Sequence, residues 1–150
     1  MFKEKDLDNA ILKSTKFIAK EQSKDGSFNS YSYTNQPDAN LEIFSTTFYT
    51  SLILYEISKI NRPKFSTVKK RACDFLLSEK KECGTYNYWA KSFEKYKSES
   101  CPDDLDDTSC ALSALISYDP KLIDEKDLAQ VTQILINSEA NTGGPYYTWI

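Results

Sequence analysis

Histidine is absent from this chain of 150 residues. That absence removes Ser-His-Asp and Cys-His nucleophile systems, imidazole general bases and His-ligated metal sites together. Any proton chemistry is left to carboxylates, tyrosines, lysines or thiols. The four cysteines, Cys73, Cys83, Cys101 and Cys110, are ten, eighteen and nine positions apart, which matches no paired zinc spacing. They read as reduced thiols. No run approaches the ~20 apolar residues of a bilayer span. The opening Met1-Phe2-Lys3-Glu4-Lys5-Asp6 also lacks the apolar core of a secretion signal. A cytoplasmic protein is the expectation. A net charge of -3, from 19 basic and 22 acidic residues, gives no field that would gather nucleic acid or an anionic membrane. The compact basic run Lys69-Lys70-Arg71 reads as a solvated helix face.

Glycine is nearly as scarce, at four residues, so its positions carry information. Gly26, Gly84 and Gly143 fall 58 and 59 residues apart, each following a helix-like segment and each preceding an aromatic cluster. The clusters are Phe28 with Tyr31 and Tyr33, Tyr86 with Tyr88 and Trp89, and Tyr146 with Tyr147 and Trp149. The spacing predicts a repeat, with each glycine closing its helix in a left-handed cap.

Two kinds of helix alternate around these turns. Leu7, Ala10, Ile11, Phe17 and Ile18 make a one-sided apolar stripe, as do Val68, Ala72, Phe75 and Leu76, and then Leu128, Val131, Ile134 and Leu135. Such stripes predict outer helices. Phe48 to Tyr55 and Cys110 to Ile116 are free of charge all round, which predicts inner helices contacted on several sides. Pro63-Lys64-Phe65 and Pro120-Lys121-Leu122 end them at matching places.

The expected fold is therefore all-α, one segment over residues 1–150 with units near 6–62, 63–119 and 120–150. Two and a half units make an incomplete ring. An unpaired outer helix exposes its stripe, so a further segment or self-association is expected to cover it.

Gln22-Ser23-Lys24-Asp25-Gly26-Ser27-Phe28 resembles the QW repeat of squalene and oxidosqualene cyclases, with phenylalanine for the usual tryptophan. Lys80 and Glu139 stand in place of the glutamine in the later copies, and the third turn carries Gly143-Gly144-Pro145. Asp104-Leu105-Asp106-Asp107-Thr108-Ser109 is similar to the Asp-x-Asp-Asp-Thr-Ala motif of class II terpene cyclases, at the start of an expected inner helix. The resemblance is to the α/α-toroids of the terpenoid cyclase and prenyltransferase superfamily.

It implies a class II reaction, in which a carboxylic acid protonates a polyisoprenoid alkene to start cyclisation. Asp106 would be the donor, Asp104 and Asp107 its tuning partners, and Thr108 a hydrogen-bond support. Tyr86, Trp89, Tyr146 and Trp149 would line the substrate and stabilise carbocations through their π faces. No cofactor is implied. The bland reading of the four aspartates is a helix N-terminus, where acids cap free amides and favour the dipole by about 0.3 to 1 kcal/mol each. The corresponding function is a non-catalytic helical-repeat module that binds a protein or a lipid. A third reading takes Asp103-Asp104-Leu105-Asp106-Asp107 as Asp-Asp-x-x-Asp, the magnesium-diphosphate motif of class I isoprenoid enzymes. Pro102 opposes it, by placing these acids in a loop and first turn rather than along one helix face.

Overall fold

The computed structural model describes residues 4–32, 41–93 and 101–150. Five α-helices are described: α1 Glu4–Glu21, α2 Thr47–Ser58, α3 Ser66–Glu79, α4 Leu105–Tyr118 and α5 Glu125–Asn137. Short 3-10 turns at Pro63–Phe65 and Pro120–Leu122 lead into α3 and towards α5, at the two places where proline interrupts the chain. The chain is thus mostly helical. One feature departs from the all-α expectation: Asn29–Ser32 (β1) and Glu42–Ser45 (β2) pair antiparallel, with Ser30 opposite Phe44 and Tyr31 opposite Ile43. The alternating Ser30-Tyr31-Ser32 suits an extended, pleated segment.

The two helices expected to be inner, α2 and α4, form the most extensive helix pairing. Leu54, Ile57, Ala111, Leu112, Ala114 and Leu115 bury their apolar groups in one core, and α3 adds Ala72, Phe75 and Leu76. Each fully buried leucine contributes ~1.5 to 3 kcal/mol of transfer free energy. Leu52, Tyr55 and Ile116 are exposed, so α2 and α4 keep one apolar face open to solvent.

Gly26, Gly84 and Gly143 are the three glycines with positive φ, at 99°, 83° and 70°. They do not cap the helices directly, which corrects the sequence expectation. α3 already ends at Glu79, with Lys80 extended behind it, and Gly84 closes the following tight turn by donating its N–H to Lys81 O (2.9 Å). Gly26 does the same with Ser23 O (3.0 Å).

Behind each turn, backbone hydrogen bonds recur in step. The Phe28 N–H donates to Thr50 Oγ1 and the Tyr86 N–H to Thr108 Oγ1, both at 3.0 Å. Thr47 N–H donates to Tyr88 O (3.1 Å), and Leu105 N–H to Thr148 O (2.7 Å). Ala90 N–H donates to Ser45 O (3.3 Å), and Ile150 N–H to Asp103 O (2.9 Å). Partners in corresponding bonds are 58 or 60 residues apart.

Each of the first two turns rests on a later helix. Gln22 Nε2 donates to Val68 O (2.9 Å) on α3, and Lys80 pairs with the buried Asp127 on α5. The basic run is not simply a solvated face. Lys69 Nζ donates to Ser58 O (3.2 Å) and Ile60 O (2.7 Å) at the end of α2, and Arg71 donates to Ser23 O, so only Lys70 is left to an exposed pair with Asp74.

The glycines differ in what surrounds them. A Cβ on Gly26 would sit 2.1 Å from Arg71 O, whereas one on Gly143 would meet nothing within 4 Å. Gly143→Ala should therefore cost only the left-handed backbone strain, about 1 to 2 kcal/mol. Gly26→Ala adds a clash with backbone and should cost about 3 kcal/mol or more. Urea unfolding of the two variants against the wild type checks the order.

Candidate functional site

The acidic motif takes its shape from the start of α4. Asp104 is the N-cap residue, with extended backbone (φ -127°, ψ 134°), and its carboxylate accepts from the N–H groups of Asp106 (2.7 Å) and Asp107 (3.4 Å). Thr108 is fully buried, and its Oγ1 accepts the Tyr86 N–H. That bond sets the rotation of α4. Residue 108 points into the protein, and its neighbours divide: Asp107 turns inward and is buried, Asp106 turns outward and is exposed.

Asp107 is therefore the buried acid of the motif. Its pKa is pushed up from 3.8 to about 7, first by burial and then by the negative charges of Asp104, Asp106 and Asp103. Its Oδ1 has no hydrogen-bond partner. At that value the carboxyl is about half protonated at neutral pH, because burial and the neighbouring carboxylates both oppose its ionisation.

These residues border an open cleft of ≈ 430 Å³. Phe48, Tyr88, Trp89 and Trp149 supply its aromatic wall, and Asp104, Asp106 and Asp107 its acidic edge. Trp89 is fixed in place: it stacks on Phe93 with centroids 5.0 Å apart and meets Phe44 and Tyr88 edge-on at 5.3 and 4.8 Å. Trp149 is held by its backbone, bridged to Asp104, while its ring stands in solvent.

The remaining expected site residues fall elsewhere. Tyr86 is fully buried in the core with its hydroxyl unpartnered, and burial raises its pKa above the ordinary tyrosine range. It wedges the turn against the helices and does not reach the cleft. Tyr146 is exposed and does not line the cleft either. Thr108 serves the Tyr86 N–H rather than a carboxylate. Phe48 and Tyr88, which do line the cleft, lie outside the residues that the sequence singled out as a site. Their signal was available, since Tyr88 belongs to the second aromatic cluster and Phe48 opens the apolar run of α2.

The magnesium-diphosphate reading does not fit this geometry. Both carboxylate oxygens of Asp103 are engaged, one by Lys81 and the other by the Thr85 hydroxyl. Among the described residues no group of three or more acidic or thiol side chains converges as a metal site would require. None of the four cysteines is bridged, and burial raises the Cys73 thiol to about 11. No helix among the described residues is long and apolar enough to cross a membrane. The chain matches no protein-family model, no curated protein and no solved structure.

Asp107 predicts a pH dependence of stability. Its folded pKa lies above the unfolded value, so between about pH 4 and pH 7 the folded state binds more protons than the unfolded one. Stability then falls as pH rises through this window and levels off above it. Glu79, buried and likewise raised by burial, contributes with the same sign. Asp107→Asn should remove on the order of 2 kcal/mol of that fall, read from urea midpoints at pH 5 and pH 8.

Proposed function

We propose that the chain is a segment of an α/α-toroid of the terpenoid-cyclase kind, whose aromatic cleft takes an apolar polyisoprenoid and whose acidic motif protonates it. The observation that carries this reading is Asp107, a buried, proton-holding carboxyl at the edge of a cleft walled by four aromatic rings. The turns and their recurring hydrogen bonds support the architecture, because a hairpin row with inner and outer helices is the building plan of a toroid.

In this reading the donor is Asp107, not Asp106. Asp106 stands exposed at the mouth of the cleft, without the burial that sets Asp107 apart. The proton leaves the Asp107 carboxyl, the alkene π pair forms the new C–H bond, and a carbocation remains on the other alkene carbon beside the aromatic faces. Cation–π contact stabilises it by ~0.5 to 2 kcal/mol per ring. The negative charge left behind stays on Asp107. Unbridged cysteines suit a reducing compartment such as the cytoplasm.

One observation favours a second reading, binding without chemistry. A strong carbon acid needs hydrogen bonds that steady its conjugate base, and Asp107 Oδ1 has none. Each pKa unit by which burial raises Asp107 costs about 1.4 kcal/mol of proton-transfer driving force. A helical-repeat module that holds an apolar ligand in the cleft makes no such demand.

Both tryptophans of the chain border the cleft, so ligand binding should quench intrinsic fluorescence. Incubation with linear polyprenyl substrates of graded length, followed by extraction, separates the readings. Quenching with cyclised product that is lost in Asp107→Asn and kept within about tenfold in Asp106→Asn supports protonation by Asp107. Quenching without product leaves the binding module. Absence of quenching at every length defeats both.

A further inference from the structure

We infer that α1 of one copy docks on the Gly143 turn and α5 of a second, joining copies head to tail. Residues 58 apart make the argument, and it stands apart from the ligand reading. On α3 and the turn that leads into it, Phe65, Val68, Ala72 and Phe75 are buried. The corresponding residues of α1, found 58 positions earlier, are Leu7, Ala10, Ser14 and Phe17, and all four are exposed. The contrast is large: Phe65 and Phe75 are 2% and 3% exposed, Leu7 and Phe17 61% and 64%.

The far end shows the opposite deficit. Leu76 and Tyr86 are fully buried, while their counterparts Leu135 and Tyr146 are 40% and 49% exposed. α1 thus lacks cover on the face that precedes it, and α5 on the face that follows. A second copy supplies part of that cover, helix against turn, as α3 lies against the Gly26 turn.

The turn geometry shows how they meet. Gly26 lies close against Arg71 on α3, and Gly84 against Val131 and Asp127 on α5, but Gly143 has open space where a third helix would lie. Arg71 donates to Ser23 O, three residues before Gly26. Lys13 is its equivalent on α1, exposed, and Ala140 lies three residues before Gly143. Charge also matches. Gln22 and Lys80, four residues before their glycines, reach across to the next outer helix. Their counterpart is Glu139, an acid, and α1 meets it with Lys13, Lys16 and Lys20 exposed.

The contact joins outer helices only. A contact of this limited kind, with charge across it, is transient and salt-sensitive. Because the two surfaces differ, the contact is heterologous, and one blocked copy can still pair with another blocked at the opposite surface.

Sedimentation velocity of the 150-residue chain at about 100 µM tests this. The wild type should sediment above monomer mass. Lys13→Glu and Glu139→Lys should each weaken self-association at least about tenfold with far-ultraviolet dichroism unchanged; melting should be unchanged in Lys13→Glu, while Glu139→Lys also loses the bond that the Glu139 carboxylate accepts from the Gly143 N–H. Mixed one to one, the two variants should regain association above monomer mass, since unaltered surfaces meet at one contact and the two reversed charges attract at the next. Carrying both changes in one chain should restore self-association. A monomeric wild type, association that neither variant alters, or a mixture that stays monomeric would each overturn the inference.

Discussion

A buried threonine hydroxyl accepting one backbone N–H is the bond on which the arrangement depends. Phe28 gives its N–H to Thr50 and Tyr86 gives its N–H to Thr108, each two residues beyond a left-handed glycine. An unpaired amide in this position would cost about 1 to 3 kcal/mol. The bond satisfies it and also fixes three things at once: the depth of the turn, the rotation of the helix that carries the threonine, and the burial of the aromatic side chain that follows the glycine. Thr50 passes its own hydrogen on to Thr46 O (2.9 Å), so the link closes within the first turn of α2.

Helix rotation is what selects the acid. Adjacent helical residues point about 100° apart, so burying Thr108 brings one neighbour partly with it. Asp107 goes inward and Asp106 outward. The Asp104 cap then works in two directions. Its carboxylate satisfies free amides at the helix start, which stabilises α4, and its charge opposes ionisation of Asp107, which keeps the proton on the buried carboxyl.

Much of the plan was legible from a few residues. Three glycines in a glycine-poor chain located all three left-handed turns, and two Pro-Lys pairs located the breaks after α2 and α4. The acidic run was placed correctly at a helix start, because aspartate after proline is a strong N-terminal signal. What the sequence did not separate was Asp106 from Asp107. That choice depends on a hydrogen bond to Tyr86, 22 residues upstream, and spacing within the motif carries no trace of it. Tyr86 and Tyr146 looked equivalent for the same reason. They occupy matching places in their turns, but one lies under packed helices and the other at an uncovered end. The β1–β2 ribbon escaped a reading tuned to helical periods, since four-residue strands leave little pattern to find.

Burial gives Asp107 its proton and also limits what the proton can do. The same dry surroundings that lift its pKa make the carboxylate costly, and a costly conjugate base is the mark of a weak acid. Acid strength towards an alkene returns only if something stabilises the carboxylate as the proton leaves. In the proposed reaction, the charge best able to do so would be the carbocation itself, formed in contact with the anion it leaves behind. At about 4 Å and an effective dielectric near 20, two unit charges attract by about 4 kcal/mol, comparable with what raising the pKa to about 7 subtracts. The aromatic wall enters the same balance, since it stabilises the cation without being able to quench it as a nucleophile would. Under the proposed protonation, catalysis would rest on how closely a ligand's alkene approaches Asp107. The walls formed by Phe48, Tyr88 and Trp89 would control that approach, and the intrinsic strength of the acid would be the lesser factor.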